Sequence, residues 1–141
     1  MQRRLSLAGL FVATTCAAVV LQGQTAPDAR TRIVFSQSLP QLDAAHLKVT
    51  TVEVTYPPGG SSAPHSHPCP VIGYVLRGAV RMQVKGGPVS IYRPGDSFYE
   101  APNGVHQVSA NASTKEPAVF LAYFICDHEG PLSVKVPQEQ R

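Results

Sequence analysis

The sequence predicts an all-β domain, an antiparallel sandwich or barrel, behind a short export leader. Three observations predict it. No window sustains a helical period. The 141 residues include 13 Pro and 11 Gly, a density that breaks helices and supplies turns. Short apolar/polar alternations recur between those turns. At this length one domain is expected rather than two, and 43% hydrophobic residues are too many for a disordered chain.

The first element is the leader. Met1-Gln2-Arg3-Arg4 is basic, Leu5 to Leu21 carries no charge, and Gln22 to Ala26 is small and polar. This is the order of a signal peptide, assigned to residues 1–23. The apolar stretch is nearly long enough to span a bilayer, but its single basic flank favours cleavage over a retained anchor. A lipoprotein at Cys16 is a weaker alternative, because Ala13-Thr14-Thr15 makes a poor lipobox. The expectation is a periplasmic or secreted protein with no stable membrane anchor after cleavage. Twelve basic and nine acidic residues give +3. Without Arg3 and Arg4 the balance is near neutral, so no nucleic-acid partner is expected.

Residues 24–46 read as a flexible lead-in, and 47–137 as the folded domain. Val52, Val54 and Tyr56 alternate with Thr51, Glu53 and Thr55, the period of a half-buried strand. Pro57 to Ser62 is a loop. Tyr74-Val75-Leu76 is a strand broken by Arg77-Gly78. Val80, Met82 and Val84 alternate with Arg81, Gln83 and Lys85, giving a dry and a wet face. Gly86-Gly87 suits a hairpin turn, and Val89 to Tyr92 returns. Arg93-Pro94-Gly95-Asp96 is a turn, Ser97 to Glu100 a short strand, and Ala101 to Gly104 another turn. Val105 to Ala110 and Ala118 to Ile125 are strands, the latter apolar enough to be buried on both faces or nearly so. Val134 to Val136 adds a last edge strand.

Five histidines occur: His46, His65, His67, His106 and His128. His65 and His67 share a side if their segment is extended. His106 shares parity with Val108 and Ala110 and so faces inward. Three imidazoles inside a barrel are poorly placed as cations and stable as neutral metal ligands. His46 and His128 sit in polar surroundings and read as solvated. Tyr74, Tyr99 and Tyr123 read as packing residues.

The stretch from Gly59 to Gly78, with Gly59, His65, His67 and Gly78 in register, resembles the first cupin motif. Gly95 to Asn111, with Gly95, a Pro/Gly turn and His106, resembles the second. The likeness spans roughly residues 47–126 and is to small single-domain bacterial cupins. It implies an antiparallel double-stranded β-helix, the jelly-roll barrel, with one divalent ion (Fe, Zn, Mn, Cu or Ni) held by His65, His67 and His106. Two features depart from the pattern. Val71, with Ile72 beside it, stands where the family has a glutamate ligand. Ala101, Asn103 and Ala110 loosen the second motif.

Glu100 is the nearby carboxylate. It shares parity with Phe98 and is a candidate fourth ligand, or a residue that orients a histidine. Cys69, between Pro68 and Pro70, is expected to be a surface thiol or bridged to Cys126, and less so a soft metal ligand. A bridge requires Cα atoms within about 7 Å. The resemblance implies a metal-dependent oxidoreductase, such as a dioxygenase on a small oxygenated compound. The alternative is a non-catalytic cupin binding a sugar or small acid, with a structural metal or none. Val71 and Ile72 suggest a partly apolar ligand. A homodimer is left open.

Overall fold

The computed structural model describes residues 29–137. The expected leader lies outside them. Among the described residues no helix is long and apolar enough to cross a membrane. From residue 32 to Asp43 the chain is mostly exposed. Asp43 then caps a 3-10 turn at Ala44–His46 by accepting from the Ala45 N–H.

Nine strands follow among the described residues: β1 (Lys48–Tyr56), β2 (His65–Ser66), β3 (Val71–Arg77), β4 (Val80–Val84), β5 (Ser90–Tyr92), β6 (Ser97–Glu100), β7 (Val105–Asn111), β8 (Ala118–Cys126) and β9 (Val134–Lys135). They form two sheets, ordered β1-β8-β3-β6 and β5-β4-β7-β2-β9, with every pairing antiparallel. Sequence-distant strands thus become neighbours, as a double-stranded β-helix requires.

The inner face of the first sheet follows from alternation. Val71, Val75, Phe98, Phe120, Ala122 and Phe124 are buried and pack with Val80 and Met82 of the second sheet. At Gly73 a Cβ would collide with the Phe98 ring, so only glycine lets that ring cross β3. At Gly78 φ is 69°, and a side chain would also strike the Pro117 carbonyl.

Of two expectations about faces, one holds and one is corrected. Strand β8 is nearly buried on both sides: Ala118, Phe120, Ala122, Phe124 and Cys126 are buried while their alternates are half-buried. The parity argument for His106 fails past Gln107. Between Gln83 and Val84 the β4–β7 register shifts, so Gln83 faces Val108 and Val84 faces His106. Gln107 is the extra residue of a β-bulge. His106, Ser109 and Asn111 are therefore the buried inner set, at 3%, 5% and 5% exposure. Ala110 is covered instead from outside by its bridge to Ser61.

Cys69 and Cys126 form a disulfide with Cα atoms 5.1 Å apart. It fastens the loop after β2 to the end of β8, across 57 residues of chain.

Candidate metal centre

Three short segments build the centre. In β2 the run between Pro64 and Pro68 is held extended, with His65 directly opposite His106 of β7. Proline removes a donor on either side, which suits so short a strand. Strand β6 ends at Glu100, and the turn to β7 passes through Asn103, whose φ of 61° is a conformation asparagine tolerates. The Asn103 N–H donates to the His67 carbonyl at 2.6 Å. The turn joining Glu100 to His106 is thus pinned to the segment carrying the histidine pair.

The side chains of His67, Glu100 and His106 converge, with their ligand atoms all within 4.8 Å of one another. Glu100 Oε2 lies 3.3 Å from His67 Nε2 and 3.2 Å from His106 Nε2. All three residues are buried. Yet among the described residues Glu100 Oε2 and both ring nitrogens of His106 have no hydrogen-bond partner; the close approaches are not aligned as hydrogen bonds. Buried polar atoms left this way are costly and rare. A cation among them would satisfy the Nε2 and Oε2 atoms at once, and two imidazoles with a carboxylate suit a divalent ion.

The orientation of His67 supports the fit. Its Nδ1 lies 2.6 Å from the Leu132 carbonyl, so Nδ1 donates and Nε2 turns its lone pair to the centre. Burial pushes its pKa below the ordinary 6.5. The Leu132 hydrogen bond and the Glu100 charge work against that shift, and His65 and His106 reinforce it. The Phe124 ring meets His67 edge-on at 5.1 Å and fixes its tilt.

His65 stands beside this group. Its ring is 4.9 Å from that of His67 and stacks on His106 at 5.3 Å. Its Nδ1 donates to the Ala63 carbonyl at 2.8 Å, leaving Nε2 free, but its ligand atoms fall outside the convergent set. Val71 is buried directly opposite both Glu100 and Phe124. Ile72 does not share that wall; it alternates to the outer face, beside Tyr99 and Tyr123. Cys69 is in the disulfide and is no ligand. His46 and His128 are exposed and pair with Asp43 and Asp127. The Leu132 carbonyl, 65 residues from His67, had no signal in the sequence.

Two cavities of about 270 Å³ each flank Glu100. The first also reaches His65 and His67 and has apolar walls from β1 and β8. At its far side are three hydroxyls: Tyr56 Oη is 2.7 Å from Ser62 Oγ and 2.8 Å from Ser109 Oγ. The second cavity reaches His106 and is bounded by Met82, Tyr92 and Phe98. Among the described residues, no lysine or arginine lines either one.

Comparison with known proteins agrees with this architecture. A cupin-like protein of Thermotoga maritima superposes with a TM-score of 0.56 at 31% identity, over 62% of this chain and 64% of that one. Oxalate decarboxylase of Bacillus subtilis, with its Mn(II) centres, gives 0.53 at 30%, over 62% and 24%. A DMSP lyase of Ruegeria pomeroyi gives 0.55 at 23%, over 62% and 42%, a likeness of fold alone. The match thus spans less than two thirds of each of these proteins. No curated protein sequence matches. The cupin-domain family matches residues 52–124, just over half of the chain and the segment that carries all three converging side chains. The chain belongs to the cupin superfamily.

Proposed function

We propose that this cupin is an exported protein that holds one divalent metal and uses it on a small oxygenated compound. In this reading His67, His106 and Glu100 are ligands, and His65 joins them through its free Nε2. The observation that carries it is the buried Glu100 Oε2, which meets two imidazole nitrogens and hydrogen-bonds to neither. Glu100 also lies directly across β3–β6 from Val71. A carboxylate from β6 thereby serves the place where β3 lacks one.

A bound divalent ion would supply Lewis acidity toward an oxygen ligand and lower the pKa of bound water. The chain's own residues do the rest. Leu132 holds the His67 tautomer, Glu100 contributes the negative charge, and the apolar walls exclude water. The Mn(II) centres of the oxalate decarboxylase are consistent with manganese, and iron, zinc, copper and nickel suit the same donors. Oxidoreductase chemistry, including dioxygenation, is the proposed activity. One observation favours a non-catalytic binding cupin instead: beyond the centre itself, the side chains that the described residues bring to the first cavity add hydroxyls and no further acid or base.

The test is metal content after purification, followed by oxygen uptake with small diketones. Stoichiometric metal that His67→Ala and His106→Ala each abolish supports the centre. Full occupancy in either variant removes that residue from it. Metal without turnover on any substrate favours the binding role.

A further inference from the structure

We infer that the first cavity is built for a singly charged or neutral ligand with a metal-binding oxygen at one end, an apolar middle, and a hydrogen-bonding oxygen at the other. This rests on the metal-centre reading above and names the ligand class for it.

Three features of the cavity carry the inference. The first is charge. One carboxylate, Glu100, faces a divalent ion, which leaves about one positive charge for the ligand to balance. Among the described residues, no lysine or arginine lines the cavity. A dianion would therefore bring an unpaired negative charge into a buried site, which is costly. The second is the wall. Val52, Val54, Phe120, Ala122 and Phe124 form one continuous apolar surface, and they can reward only an apolar body.

The third is the hydroxyl cluster. Tyr56, Ser62 and Ser109 bring three O–H groups into two mutual hydrogen bonds. Two O–H groups suffice for two bonds, so one remains to donate. Tyr56 and Ser109 are themselves buried. Ser109 lies three residues beyond His106 on β7, but across the bulge they span only Val84 to Met82 of β4, roughly 7 Å at 3.3 Å per residue. That spacing matches a ligand with one aromatic ring between its two polar ends.

Hydroxamates test this, because they bind metals as bidentate monoanions. Titration calorimetry on the zinc-loaded full chain should compare acetohydroxamate, benzohydroxamate and 4-hydroxybenzohydroxamate, with oxalate as the dianion. The 4-hydroxyl should tighten binding about 3- to 10-fold over benzohydroxamate, the worth of one net hydrogen bond. In the Tyr56→Phe/Ser62→Ala/Ser109→Ala variant, which removes all three hydroxyls, that ratio should fall to about one while benzohydroxamate affinity holds. Ser109→Val, which fills the far end, should weaken both aryl probes and spare acetohydroxamate; it serves if the triple variant does not fold. Oxalate should bind more weakly than any hydroxamate.

If the protein takes up no zinc, or no hydroxamate binds the loaded protein, the metal reading fails and this inference with it. If acetohydroxamate binds but the 4-hydroxyl gives no advantage, or the advantage survives in the triple variant, the metal reading stands and the inference is wrong. Oxalate binding as tight as 4-hydroxybenzohydroxamate would also overturn it.

Discussion

Glu100 separates the two ways a carboxylate can sit in a β-barrel, as surface charge or as part of the interior. At 5% exposure and without a hydrogen bond to Oε2, it is interior. Glu100→Gln keeps its shape and removes its charge. Metal affinity by calorimetry is expected to fall at least about 10-fold; a change under twofold would take Glu100 out of the centre. Val71 tests the same register from the facing strand. Val71→Glu buries a second carboxylate opposite Glu100. Without metal the variant should lose about 2 kcal/mol or more in denaturant melts, and added metal should restore much of it. Equal melts with and without metal would mean that position 71 does not reach the centre. His67 gives a pH dependence. Its folded pKa lies below 6.5, so below that pH the unfolded chain takes up the proton first. Metal-free stability should then fall with pH, by at most about 1.4 kcal/mol per pH unit from this group. Stability that rises as pH drops below 6.5 would contradict that assignment.

At the scale of elements, the legible parts were those set by local pattern. Alternation in β1 and β4, and the turns at Gly86-Gly87 and Pro94-Gly95, carry their own period and punctuation, and the structure has strands and turns there. The illegible parts were set by partners far along the chain. Strand β2 is two residues long and exists because β7 and β9 pair with it. Strand β3 begins at Val71, three residues before the Tyr74 start expected from sequence, because β6 and β8 extend it. The bulge at Gln107 depends on the β4 register, which no local pattern shows. The spacing of His65, His67 and His106 was legible, whereas the convergence of Glu100 on two of them required the β3–β6 pairing. The disulfide belongs to this scale too. It closes a long loop whose first residues lie two positions from His67. Cys69→Ala/Cys126→Ala is expected to cost about 2–4 kcal/mol in chemical denaturation and to weaken metal binding through the loosened loop. Unchanged metal affinity would confine the disulfide to stability.

Across the whole molecule, the interior is shared between a packed half and a chemical half. Val75, Val80 and Ala118 fill the one, and the Glu100 cluster with its two cavities occupies the other. Metal should therefore act as a stabilising ligand of the folded state. At 100 times its dissociation constant it is worth about 2.7 kcal/mol, readable as a raised melting temperature that a chelator reverses. The absence of any such shift would argue for a centre that stays empty. The bulge in β7 has a consequence for how this interior can change. An unbroken strand shows every second residue to one side, so it offers either His106 or Ser109 to the interior and never both. The extra residue resets the phase between them. Substitutions can alter what each position carries, but only an insertion or a change of register can alter which residues are offered. Inserting one residue between His106 and Ser109, or flattening the bulge with Gln107 retained, would bring Val108 round to meet Tyr56 where Ser109 now stands, whereas losing Gln107 would leave His106 and Ser109 two residues apart on one face. The two ends of the cavity are in this sense spelled in different reading phases of a single strand, and length variation there would change the ligand while leaving the metal centre intact.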